Sequence, residues 1–293
     1  MAKPVVCLAT PADPNDQTCR SRDAFEHELS IFGWSSSSIE FHAYYGYYDK
    51  KLLKAVADQA VQKAEAAMKA GQPAAIVAAG VVATTILQGK TKSVPIIQAV
   101  GGSKPGTPAK NVTGFYFDAI QTSKDQLDKL SRNSEVTVLY DSTNAPSKAA
   151  WKALKSYAGQ KYPNLKVTPR DIQDLGKLKP GHINGSFMLI PNTMFYNRCS
   201  EITDLVDQSK VPVIYPEREY KKAHKKTAGI TVHGHHVPLT YRLAAHYVDS
   251  ILDGTLTVKN LPNFKEAVTD RFELDQTVVL KGPSQPQPAK RKK

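Results

Sequence analysis

The chain has 293 residues, 41% of them hydrophobic, and a formal net charge of +12. That is enough apolar material for a sizeable core and for two domains of ordinary size, which excludes a disordered chain. A membrane span is also excluded, because no apolar stretch reaches roughly 18 to 20 residues; the longest candidate, residues 73–87, is mostly Ala, Val and Thr around a glycine.

The amino end passes from Met1-Ala2-Lys3-Pro4 into the apolar run Val5-Val6-Cys7-Leu8-Ala9. No charged, apolar and cleavage regions of a secretory signal precede it, so a cytoplasmic location is expected for the chain as written, and a periplasmic one if it is a processed form. Residues 10–18 read as a polar loop, and Phe25, Leu29 and Phe32 are spaced for one helical face that ends at Gly33. Residues 38–42 predict a second strand. Leu52, Leu53, Val56, Ala60, Ala64 and Ala67 mark a long amphipathic helix closed by Gly71.

The next segment is the most telling. Ala74-Ala75-Ile76-Val77-Ala78 is an uninterrupted apolar run, Ala79-Gly80 a turn without bulk, and residues 81–88 restart as helix. Residues 94–100 and 112–117 supply two more strands, with a flexible loop from Gly101 to Gly106 between them. Strands apolar on both faces that alternate with helices belong to a parallel doubly wound sheet.

The pattern then starts again. A helix is predicted at about 123–131, a strand at Val136-Thr137-Val138-Leu139-Tyr140, the turn Asp141-Ser142-Thr143-Asn144, and a helix bearing Trp151, Leu154 and Tyr157. A short strand near 165–167 follows. Phe187-Met188-Leu189-Ile190 stops at Pro191-Asn192, a helix carries Cys199, Ile202, Leu205 and Val206, and Val211 to Tyr215 stops at Pro216-Glu217. A last helix over 239–252 ends at Gly254, and a closing strand is expected near 271–280.

The positive charge is unevenly spread. Lys290-Arg291-Lys292-Lys293 holds four charges behind a Pro- and Gln-rich linker, and residues 283–293 read as a disordered basic tail. Lys221, Lys222, Lys225 and Lys226 around His224 read as a solvated helix face. Cys7, Cys19 and Cys199 are odd in number and lack metal-ligand spacing, which predicts free thiols.

Four segments together carry a resemblance: Asn111-Val112-Thr113-Gly114, Val138-Leu139-Tyr140-Asp141 before Asn144 and Ser147, Val211-Pro212-Val213 before an acidic turn, and residues 244–254, AAHYVDSILDG. The chain resembles the substrate-binding-protein-like proteins of ABC transporters, with the type I periplasmic-binding-protein fold, from about Val5 to Gly282. The resemblance implies two lobes with three crossings, near Phe117, Val237 and Pro262. The first lobe is then 1–118 plus 239–262 and the second 119–238 plus 263–282. It also implies a small molecule, often an amino acid or similar metabolite, clamped between the lobes, and an ABC permease as partner if the chain is exported.

Ligands of such sheets bind beyond the carboxyl ends of the strands, where helix-start amides favour a carboxylate or phosphate. The candidate contacts are therefore Thr10, Asp13, Gly80, Thr84, Gly101, Asp141, Ser142, Asn144, Asn192, Glu217 and His233, with Asp141 or Glu217 available to a ligand ammonium group. Asp, Ser and Asn in these places are equally ordinary helix caps. His233 and His235 would point the same way in an extended segment, but no third metal ligand is specified, so no metal or cofactor is expected. Tyr44, Tyr45, Tyr47 and Tyr48 could stack on an aromatic ligand or serve as packing.

No G-x-S-x-G elbow, dinucleotide fingerprint or phosphate loop is present, so no catalytic residue is nominated. The alternative reading is a ligand sensor linked to transcription or nucleic acid through the basic tail. Only Met1-Ala2-Lys3-Pro4 precedes the first strand in the chain as written, which counts against sequence-specific DNA reading.

Overall fold

β1 (Val5–Thr10) is buried at every position, as a strand must be when helices cover both faces of its sheet. Its side chains alternate between two cores: Val6 and Leu8 enter one, and Val5, Cys7 and Ala9 the other. The computed structural model describes residues 2–15, 18–173, 175–224 and 230–266. After β1 come α1 (Thr18–Ile31), β2 (Glu40–Tyr45), α2 (Lys50–Lys69), β3 (Ala74–Ala79), α3 (Val81–Lys90), β4 (Ile96–Val100) and β5 (Val112–Tyr116).

The second series is α4 (Ala119–Leu130), β6 (Glu135–Tyr140), α5 (Ala145–Lys161), β7 (Lys166–Asp171), β8 (Ser186–Leu189), α6 (Thr193–Asn197), α7 (Cys199–Ser209), β9 (Val213–Glu217), α8 (Arg218–Ala223) and β10 (Ile230–His235). The described chain closes with α9 (Val237–Leu252) and the short β11 (Lys265–Glu266).

These strands form two sheets, in the orders β11-β5-β4-β3-β1-β2 and β10-β9-β8-β6-β7. Their described pairings are parallel. The fold is therefore α/β with two doubly wound lobes. Each sheet is packed on both faces: α1 and α9 against α2 and α3 in the first, and α6 to α8 against α4 and α5 in the second. A fully buried aliphatic such as Ile76 or Leu139 contributes about 1.5–3 kcal/mol, so these four layers outweigh any surface pairing.

After β5 the chain passes to α4, which packs on β8, β9 and β10, and after β10 it returns through α9, which packs on α1, β3 and β4. The expected boundary at 263 is corrected by β11: Lys265 pairs with Phe115 and Glu266 with Tyr116, in the first sheet and not the second. The closing strand near 271–280 and the tail 283–293 lie outside the described residues.

Several boundaries move for local reasons. β2 begins at Glu40 and reaches Tyr45 because its register is set by pairing along the whole of β1. α4 starts at Ala119, four residues before the predicted start, because Asp118 caps it: the carboxylate accepts the N–H groups of Ile120 and Gln121 at 2.9 and 3.0 Å. The segment around His233 is strand β10, extended as the same-side placing of His233 and His235 requires. There Gly234 is obligatory, since a Cβ would come within 1.9 Å of the Pro216 carbonyl oxygen on β9.

Candidate functional site

The strand orders reverse beside β1 and β6, and a cleft of about 420 Å³ opens beyond the carboxyl ends of both sheets. The first lobe contributes Pro11 after β1, Ala79 and Gly80 after β3, Val100 to Gly102 after β4, and Tyr48 and Leu53 around the start of α2. The second contributes Asp141, Thr143 and Asn144 after β6, Gln173, Pro191 to Met194 around the start of α6, and Glu217 at the end of β9. Phe117, Val237 and Tyr241 stand at the crossings.

Six sequence candidates thus line the same cleft: Gly80, Gly101, Asp141, Asn144, Asn192 and Glu217. Five lie outside it. Thr10 is buried, and its hydroxyl accepts the Ala12 N–H at 3.2 Å. Asp13 accepts from the backbone and side-chain nitrogens of Asn15 at 2.9 and 3.0 Å. Thr84 donates to the Gly80 carbonyl at 2.9 Å inside α3. Ser142 is held by Asp171 and Gln173. His233 lies against α4, where its carbonyl accepts from Gln126 at 2.9 Å and its Nε2 lies 3.5 Å from Asp125.

The cap and ligand readings of the Asn residues are compatible. Asn144 Oδ1 accepts the Ser147 N–H at 3.0 Å and Asn192 Oδ1 accepts the Met194 N–H at 2.7 Å, while both residues line the cleft. Asn192 also donates to Asp141 Oδ2 at 3.2 Å. Asp141 Oδ1 accepts the Thr143 N–H and hydroxyl at 2.8 and 2.6 Å. Three donors hold that carboxylate in place.

Glu217 is the opposite case. It is buried, and its Oε2 has no hydrogen-bond partner among the described residues. Burial, and then the nearby Glu219 carboxylate, holds its carboxyl well above the usual carboxylate range. Tyr196 stands beside this pair; burial and Glu219 likewise push its phenol well up.

The lobes already touch. The hydroxyls of Ser21 in α1 and Tyr196 in α6 lie 3.3 Å apart. Gly80 has φ +94°, and a Cβ built there would lie 3.6 Å from Thr193 Oγ1 across the cleft. A glycine is what this approach and this dihedral both favour.

Sequence reasoning missed most of the aromatic and apolar part of the wall: Leu53, Phe117, Met194, Tyr196 and Tyr241. Of the tyrosine cluster, Tyr48 alone lines the cleft; Tyr45 accepts from Arg22 at 2.8 Å. The histidine run separates. His235 stacks on Phe117 with ring centroids 3.7 Å apart, whereas His236 lies 3.8 Å from Glu219. Among the described residues no three His, Cys, Asp or Glu side chains converge as metal ligands, Cys7 and Cys199 are buried and form no disulfide, and no helix is long and apolar enough to cross a membrane.

A family model described as ABC transporter substrate binding protein matches residues 45–279. No curated relative matches the sequence. Among solved structures, a conserved domain protein from Vibrio cholerae superposes with TM-score 0.71 at 16% identity, covering 92% of this chain and 90% of that one. An ABC domain from Streptococcus pneumonia in complex with L-Trp gives 0.68 at 15% identity, covering 91% and 90%. A carbohydrate transporter solute binding protein from Agrobacterium radiobacter in complex with D-arabinose gives 0.65 at 14% identity, covering 92% and 94%. At these identities the superpositions establish the type I periplasmic-binding-protein fold.

Proposed function

The chain belongs to the ABC transporter substrate binding protein family, and on that premise we propose that it clamps a small amino-bearing solute, amino-acid-like in chemistry, between its two lobes. The observation that carries this reading is Glu217, a buried carboxyl on the cleft wall whose Oε2 has no partner among the described residues. A ligand ammonium group would compensate it, because a buried charge is stable only when paired. Asp141, already held by Thr143 and Asn192, supplies a second acceptor.

The start of α3 at Gly80 offers backbone N–H groups to a ligand carboxylate. Tyr48, Phe117, Tyr196 and Tyr241 offer an apolar, aromatic surface for the remainder of the ligand. A volume of about 420 Å³ suits a molecule of amino-acid size. The neighbour that holds L-Trp and the one that holds D-arabinose make amino acids and sugars the first classes to test.

The test is a thermal-shift screen with amino acids, nucleobases and sugars, since a ligand that binds the folded state alone raises its midpoint. The hit is then titrated into Asp141→Asn and Glu217→Gln proteins. Normal binding by both, without compaction in small-angle scattering, rejects the clamp. The partner in this reading is an ABC permease that receives the closed form, which requires the protein to lie outside the cytoplasmic membrane. Fractionation of the native protein into the cytoplasm would instead favour a sensor.

A further inference from the structure

Tyr196 also walls a second cavity, of about 460 Å³, between α1, α7, α8 and the start of α9. Its charged lining comes from both lobes: Lys222 and Glu219 from α8, and Arg242 from α9. Among the described residues Lys222 is in no ion pair, and Arg242 Nε reaches Glu28 at the long distance of 4.0 Å. Glu28 is itself closer to His246, at 3.3 Å. Two cations, an exposed Lys222 and a half-exposed Arg242, therefore face one space opposite the single carboxylate of Glu219.

The surroundings reinforce their field. Burial, followed by the charges of Arg218, Lys222 and Arg242, pushes the His236 imidazole down to about 4. At neutral pH that ring is uncharged and leaves the two cations as the positive groups lining the cavity. α9 starts here with His236 as an N-cap that makes no side-chain capping bond, so the positive end of its dipole adds to the same region. Glu219, Ser200 and Tyr196 line the cavity as well, and the carboxylate and hydroxyls suit a ligand's hydroxyl donors, not a second anion.

We propose that this cavity is a binding site for a small metabolite bearing a phosphate-like oxyanion, its anionic group held between Lys222 of one lobe and Arg242 of the other and its hydroxyls turned toward Glu219. The site adjoins the ligand cleft across Tyr196, which lines both, and the proposal does not rest on the identity of the cleft ligand. An occupant pairs with a cation on each lobe and so ties the lobes together.

Isothermal titration of the full chain with inorganic phosphate and with glycerol 3-phosphate, at constant ionic strength, tests it. Saturable binding of at least one anion is expected. Lys222→Gln and Arg242→Gln should each weaken it about tenfold to a hundredfold, the range for losing a charge-assisted hydrogen bond. Arg242→Lys should retain more of the binding than Arg242→Gln, and Lys152→Gln, on the exposed face of α5, should retain all of it. Tighter glycerol 3-phosphate assigns the seat to an esterified phosphate, and tighter inorganic phosphate to the free ion. No saturable binding of either, or binding that Lys222→Gln and Arg242→Gln leave as in wild type, overturns the proposal.

Discussion

Replacing Glu217 by Gln should make the protein more stable and a poorer binder of an amino-bearing ligand. In the folded chain the carboxyl is buried, with Glu219 nearby, and its Oε2 is without a hydrogen-bond partner among the described residues. A buried polar atom left unsatisfied costs about 1–3 kcal/mol, more if charged. Gln keeps the shape and cannot ionise. It also loses no helix cap, because the Glu217 side chain makes no capping bond to α8.

The sign with pH follows from the raised carboxyl. Below its ordinary range, near 4.5, Glu217 is protonated in both folded and unfolded chains and costs nothing. As pH rises from there toward the folded value, the unfolded chain ionises first, and wild-type stability falls relative to Glu217→Gln. Thermal unfolding from pH 4 to pH 8 should show the two proteins converging at the acid end. At pH 8 the variant should lead by several degrees, at about 2–4 °C per kcal/mol. With an amino-bearing cleft ligand the order reverses: loss of the charged partner costs about 2–5 kcal/mol of binding, and wild-type affinity rises with pH as Glu217 gives up its proton. A variant less stable at pH 8, or a gap that persists unchanged to pH 4, refutes the reasoning.

Gly80→Ala forces a side chain into φ +94° beside Thr193; the strain of about 1–3 kcal/mol should lower the unfolding midpoint, and calorimetry with and without cleft ligand should show weaker binding too. Gly234→Ala drives a methyl into the Pro216 carbonyl, and chemical denaturation should register a loss of about 1–3 kcal/mol or more from overpacking. His235 is pushed down to about 3 by burial and then by His233, so below its ordinary 6.5 the unfolded chain takes up a proton that the folded chain refuses. Stability should then fall with falling pH by up to about 1.4 kcal/mol per unit between pH 6.5 and 3, and His235→Gln should flatten that slope in acid titrations.

The sequence by itself determined the central strands, because a run apolar on both faces, such as Ala74 to Ala78, has no stable place except inside a sheet covered by helices. It determined the turns after β3, β6, β8 and β9, and with them Gly80, Asp141, Asn144, Asn192 and Glu217, since residues at strand ends reach a common edge whatever the loops do. It could not separate those from Thr10, Thr84 or Ser142, whose hydroxyls are spent on their own turn, helix or neighbouring loop. That distinction depends on distances of an ångström or two.

Only the tertiary structure put Phe117, Tyr196 and Tyr241 on the cleft wall, because in sequence each is an ordinary buried aromatic and the cleft is made by elements brought together from far along the chain. It alone split His235 from His236, one onto Phe117 and the other toward Glu219, and returned β11 to β5. Strand pairing and lobe contact are long-range choices made by packing and hydrogen-bond register, and local periodicity carries neither.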